Sequence, residues 1–195
     1  MGKRIIVAVT GASGAVYARR LLQCLVASDV DVHLICSPLG RRLLSDELGI
    51  SEPTAAALLG HETGLLTTHA YDDLSSKLAS GSFFTDGMVV CPASSNTMAA
   101  IAAGLADNLI SRAAGVTLKE TRRLIVVPRE MPWGRVELTN ALRISRAGGV
   151  ICPASPGFYM RPQTIADLVD FVVGRLLDLL GVEHQLDTRW DEPKA

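Results

Sequence analysis

The chain has 195 residues, 19 of them basic and 20 acidic, for a formal net charge of −1. Such a balance spreads no single-sign field over the surface, so overall charge recruits neither nucleic acid nor an anionic membrane, and any electropositive site is local. Hydrophobic residues make up 48% of the chain and aromatics only 5%, which predicts one domain with a core of Ala, Val, Leu and Ile.

In chain order, residues 4–9 read as a buried strand, followed by the turn Thr10–Gly14 and an amphipathic helix over 15–27. A second strand is predicted over 30–36. Ser37 and Pro38 then open a helix running to Leu48, with a hydroxyl at the cap and proline in the first turn. From Gly49 to Ser82 the period weakens, and a stretch of that length predicts a lid or a partner-facing segment. Order resumes with a strand over 87–91 and a helix from Ser95, interrupted at Gly104 before a second helix over 107–120. Strand 123–127, helix 136–147, strand 149–152 and helix 164–180 complete the series.

Short apolar strands alternating with helices indicate a doubly wound parallel sheet in three layers, Rossmann- or flavodoxin-like, in a single domain over 1–181. The tail 182–195 reads as polar and loose, pinned by Trp190. The last helix carries Leu168, Val169, Phe171, Val172, Leu176, Leu179 and Leu180, a face wide enough to bury against the sheet or another subunit.

Cys24, Cys36, Cys91 and Cys152 show no CxxC spacing and read as reduced, buried thiols. His33, His61, His69 and His184 are dispersed, so no metal is expected. The apolar run after Lys3 and Arg4 is too short for a signal peptide, and Pro92 breaks the longest apolar stretch. A soluble cytoplasmic protein is therefore expected.

Four apolar strands run into small polar loops that open helices: 5–18, 88–100, 124–134 and 149–159. A parallel sheet gathers such loops along one edge, where helix N-termini favour phosphorylated ligands. Thr10-Gly-Ala-Ser-Gly14 is not a full GxGxxG and stands between a tight turn and a ligand loop. Ser94, Ser95, Asn96 and Thr97 exceed the needs of one cap and suit a ligand's polar edge.

Arg112 and Lys119 lie seven apart on one helix face. Surface ion pairs with Asp107 and Glu120 are the simpler reading for them. Arg129 and Glu130 leave a strand end, where a partly buried carboxylate serves as acid or base. Tyr159 is either packing or ligand contact. Arg175, read as interrupting the apolar face of the last helix, either snorkels outward or joins Lys119 and Tyr159 in a second phosphate cradle.

VTGASGAVYA, CPASSNT, LKETRRLIVVPRE and VICPASPGFYMRPQT, with DLVDFVVGRLLDLLG, resemble the flavin prenyltransferases of the UbiX type. That family lies within the homo-oligomeric flavin-containing decarboxylases, whose Pro-Ala-Ser-Ala-Asn-Thr motif is similar to PASSNT. The likeness covers about 3–181. It implies an enzyme that joins a dimethylallyl group from dimethylallyl phosphate to reduced FMN, at nitrogen-5 and then carbon-6. The product is the cofactor of a UbiD-type decarboxylase. It further implies a metal-independent reaction and a homo-oligomer, typically a dodecamer with active sites at subunit junctions.

Carried over by position, the resemblance gives FMN contacts to Gly11, Ala12, Ser13, Ser37, Ser94, Ser95, Asn96, Thr97 and Arg129. It gives prenyl phosphate contacts to Lys119, Tyr159, Arg175 and Arg112, with Ala79, Ser80 and Gly81 as a small-residue wall. Glu130 becomes the acid/base, assisted by Ser13 and Glu47, with Lys119 beside the leaving phosphate. Two departures stand out: Leu74 occupies a place where many members have tryptophan, and Asn96 is closer to the cysteine-decarboxylase branch. An FMN-dependent cysteine-type decarboxylase is the alternative enzyme, and a non-catalytic FMN carrier the alternative binding protein.

Overall fold

Alternation of side chains along each strand sets the architecture, because successive residues face opposite sides of a sheet. The computed structural model describes residues 2–188; Trp190, expected to pin the tail, lies outside them. Six strands form one sheet: β1 Arg4–Val9, β2 Asp31–Cys36, β3 Leu66–His69, β4 Gly87–Ala93, β5 Arg123–Pro128 and β6 Val150–Ile151. Their order is β3-β2-β1-β4-β5-β6, and every pairing is parallel. The chain reverses direction across the sheet between β1 and β4, which is where a doubly wound sheet opens its ligand crevice.

The helices are α1 Ala15–Ala27, α2 Pro38–Leu48, α3 Ala55–Leu59, α4 Ser95–Ala102, α5 Leu109–Lys119, α6 Arg135–Arg146 and α7 Ile165–Leu180. Ile5, Val7 and Val9 point to one side, with buried residues of α1 and α7. Ile6 and Ala8 point to the other, with Met98 of α4, Ile110 and Ala113 of α5 and Ile144 of α6. The same alternation splits Val89 and Cys91 from Met88 and Val90 in β4. Two cores on one sheet give the three layers expected.

Two regions depart from the sequence reading. The segment 49–82, expected as a lid or a partner-facing segment without strong period, supplies α3 and the edge strand β3, with Leu66 paired to Val32 and His69 to Ile35. Both elements are short, five and four residues, and an edge strand with one poorly buried face carries little alternation to read. The described part of the tail is not loose either. Val182 and Thr188 are buried, Ser28 donates to the Glu183 carbonyl at 3.1 Å, and His184 Nε2 lies 3.3 Å from Asp178 Oδ1. Arg175 does not interrupt the apolar face of α7: Val172, Val173, Leu176 and Leu177 are buried while Arg175 is exposed.

The cysteines are free thiols, with Cys36 and Cys91 buried. Among the described residues, no helix is long and apolar enough to cross a membrane.

Candidate active site

The loops at the carboxyl ends of β1 and β4 are bolted together by Thr10. Its N–H and hydroxyl both donate to the Pro92 carbonyl, at 3.2 and 2.8 Å, and its Oγ1 accepts from Ser94 N–H at 2.9 Å. Three bonds through one buried threonine fix the relative height of the two loops. The sequence reading placed Thr10 at the head of the turn but missed this role, although its place as the first polar position after β1 marked it.

Gly14 then turns the chain into α1 with φ 116, a conformation open to glycine and strained for other residues. It has no side chain to cap the helix. Glu47 of α2 does so instead, accepting from Gly14 N–H at 3.0 Å and from Ala15 N–H at 2.8 Å. The reach is possible because α2 starts against the end of β1. A Cβ on Gly40 would lie 2.4 Å from the Val9 carbonyl oxygen. Ser37 fixes that start, donating its N–H to Val9 O at 2.9 Å and accepting from Gly40 N–H at 3.0 Å.

The electrostatic consequence is specific. The N-terminus of α1 favours an anion, and the protein's own carboxylate occupies it. The N-terminus of α4 is different. Ser94 accepts from Thr97 N–H at 3.2 Å and donates to the Thr97 hydroxyl at 3.0 Å, so those two form the cap. Asn96 is exposed, and the Ser95 hydroxyl donates across to Glu130 Oε2 at 3.3 Å. The polar cluster read in the sequence thus divides into a cap, Ser94 with Thr97, a crevice contact from Ser95, and an exposed Asn96.

Arg129 closes the other wall. Its N–H reaches the Ala93 carbonyl at 3.4 Å and its Nε donates to the Ser13 carbonyl at 3.3 Å. Glu130 follows, its Oε1 accepting from Met131 N–H at 3.2 Å. Expected as partly buried, Glu130 is exposed in the single chain. One chain therefore brings together Gly11, Ala12, Ser13, Ser37, Glu47, Ser94–Thr97, Arg129 and Glu130. Helix N–H groups, hydroxyls and one guanidinium, beside two carboxylates, are a set that fits a flavin phosphate and the polar edge of its ring.

The remaining predicted residues are not brought there. Lys119 ends α5 beside the amino end of β5 and pairs with Glu120 at 2.9 Å. Gly81 packs against the Glu120 side chain, and Arg122 donates to the Gly81 and Phe83 carbonyls at 2.6 and 3.0 Å. Ala79, Ser80, Gly81 and Lys119 thus form a second cluster at the opposite edge of the sheet, a strand's length or roughly 20 Å from the crevice. Arg112 is exposed two turns earlier on α5. Arg175 faces Asp178 at 3.4 Å. Tyr159, 55% exposed, stacks edge-on to Phe171 at 5.7 Å beyond the outermost strand. Within one chain Lys119 and Arg175 ride on helices at opposite faces of the sheet, α5 and α7.

Thiol and imidazole groups offer the crevice little. Burial pushes the Cys36 thiol up to about 12 and raises Cys91 further, so neither ionises at neutral pH. His33 and His69 lie between β2 and β3, Nδ1 to Nε2 at 2.9 Å. Burial lowers His33 to about 4. What remains in the crevice is carboxylate, hydroxyl and guanidinium chemistry.

Comparison with known proteins agrees with this geometry. Residues 1–177 match the family model described as Flavoprotein. The flavin prenyltransferase UbiX of Pseudomonas aeruginosa is 42% identical over 97% of the chain and 95% of that protein. The structure of AnUbiX (PadA1), solved in complex with FMN and dimethylallyl pyrophosphate, superposes with a TM-score of 0.91 at 40% identity, over 98% of this chain and 99% of that one. A dodecameric FMN-dependent UbiX-like decarboxylase from Escherichia coli O157:H7 superposes at 0.89 and 42%, over 97% and 100%.

Proposed function

Because the chain belongs to the flavoprotein family, and within it to the flavin prenyltransferases, we propose that its crevice seats FMN for prenylation and that a neighbouring copy completes the site. The protein is a prenyltransferase and FMN is the flavin it acts on. The convergence of Ser13, Ser95, Arg129 and Glu130 in one crevice carries the reading for the flavin half.

Since Glu47 already neutralises the start of α1, the flavin phosphate goes to the start of α4, with Ser95, Asn96 and Arg129 around it. Gly11, Ala12 and Ser13 lie along the ring. When bound, reduced FMN supplies the nucleophile, nitrogen-5 first and carbon-6 second. Glu130 gives its proton to the departing phosphate as the allylic C–O bond breaks and the C–N bond forms. It then recovers the proton released at nitrogen-5. Ring closure adds one proton to the alkene and removes one at carbon-6. Ser13 and Glu47, neighbours at the α1 entrance, move that proton.

The leaving phosphate carries away the electron pair of the C–O bond, so preorganised cations lower the barrier. Lys119, Arg112, Arg175 and the Tyr159 hydroxyl supply that seat from other copies, with Ala79–Gly81 against the prenyl group. Their separation from the crevice within one chain supports a site between subunits. The protein forms a homo-oligomer, and a dodecamer with junction sites fits the divided residue set. Prenylated FMN then passes to a UbiD-type decarboxylase, and the work takes place in the cytoplasm. The cysteine-decarboxylase alternative is not favoured, since the family match is to prenyltransferases along nearly the whole chain.

Anaerobic incubation with reduced FMN and dimethylallyl phosphate should yield a flavin heavier by one dimethylallyl group. An unmodified flavin with both the monophosphate and the diphosphate would overturn the reading.

A further inference from the structure

Trp133 has no part in the site as drawn from the sequence, yet it anchors the loop on the far side of Glu130 from Arg129. Residues 129–132 and Gly134 are all exposed, whereas Trp133 is half-buried and its ring packs on the core shared by β4, α4 and α5. Its indole Nε1–H donates to the Glu130 carbonyl at 3.0 Å. The Glu130 carboxylate is held only by longer bonds, from Met131 N–H at 3.2 Å and the Ser95 hydroxyl at 3.3 Å.

Bonds of that length constrain a flexible glutamate weakly. The carboxylate stays near Ser95 only if its backbone is held at the right height; the Arg129 N–H to Ala93 carbonyl bond restrains it on one side at 3.4 Å, and the indole restrains the Glu130 carbonyl on the other at 3.0 Å. Resting on the assignment of Glu130 as the acid, we infer that Trp133 is a positioning residue: its indole N–H and its anchored ring hold the Glu130 carboxylate over Ser95.

The Trp133→Phe variant keeps an anchored ring and removes the N–H. The Glu130 carbonyl is exposed, so water replaces the lost donor and stability barely changes. The expected result is a fall in kcat of about tenfold, since small misplacements of a reacting group have effects of that order. KM for dimethylallyl phosphate, FMN affinity and melting temperature should match the unaltered protein. In a Glu130→Gln background the same change should cause no further loss, because the group it positions is gone.

An unchanged kcat, or an equal proportional loss in both backgrounds, overturns the role of Trp133. If Trp133→Phe fails to fold, benzothienylalanine at position 133 keeps the bicyclic shape and removes only the N–H, with the same outcomes expected. Full turnover by Glu130→Gln alone would overturn the acid assignment and this inference together. Loss in Glu130→Gln with a normal Trp133→Phe overturns only the inference.

Discussion

The two ends of the sheet are built on different principles. At the carboxyl edge, backbone groups and short side chains lock to one another: Thr10 joins two loops, Glu47 caps α1, and Arg129 reaches the Ser13 carbonyl. At the amino edge, Lys119 and Glu120 pair at the surface, with the Lys119 side chain 63% exposed. Exposed pairs of long side chains are worth little by themselves. The first arrangement is complete in one chain. The second is an exposed charge pair, which would gain strength if a partner removed it from water.

The sharpest way to break this contrast is to disable each end separately. Glu130→Gln should lower turnover by about 10²–10⁴-fold, the range for a general acid, while FMN stays bound, as flavin absorbance and affinity would report. A carrier protein would keep its function. Lys119→Ala should lower turnover by about 10²-fold, comparable to removing one preorganised donor. If the two ends meet between copies, co-assembling Glu130→Gln with Lys119→Ala subunits restores part of the activity, because some junctions then contain both intact residues. No recovery in mixed assemblies would place both groups in the same chain's site.

Stability gives the next contrast. Gly40→Ala should destabilise the crevice end by about 3 kcal/mol, since its Cβ would meet a backbone carbonyl that has no rotamer to yield. Urea denaturation measures it, and a smaller loss would mean that α2 can slide. Away from both ends, His33 links stability to pH. Its folded value of about 4 lies below the 6.5 of the free side chain. Between these values the unfolded chain binds more protons, so stability is full above about pH 6.5 and drains as pH falls towards 4. About 2 kcal/mol should be lost between pH 7 and 5. The His33→Phe variant should show a flatter profile over that window, and an unchanged slope would assign the effect to other groups.

Much of the carboxyl edge was readable because local chemistry specifies it. The turn Thr10–Gly14, the cap at Ser37 and the hydroxyl run 94–97 each sit one residue beyond a strand. The individual jobs were less readable. Glu47 caps α1 from a different helix, and Ser94 and Thr97 serve each other while Ser95 reaches across to Glu130. Such pairings join residues far apart in the chain, or choose among adjacent hydroxyls by rotamer. Periodicity missed β3 because a four-residue edge strand leaves no alternation to count. It missed the docked tail because Val182, Leu186 and Thr188 bury single side chains without a repeat.

The sequence by itself determined the alternation that places two cores on a parallel sheet, the loops at its carboxyl edge and, through its motifs, the family. Those features follow from local propensity and from the spacing of apolar residues, which act over a few positions. Only the tertiary structure decided that Lys119 lies a strand's length from Glu130 and the crevice. Lys119 ends a helix that runs back down the sheet, while Glu130 leaves a strand that runs up it. Residues eleven apart in sequence therefore stand at opposite edges, and a site needing both is one that a single chain cannot close.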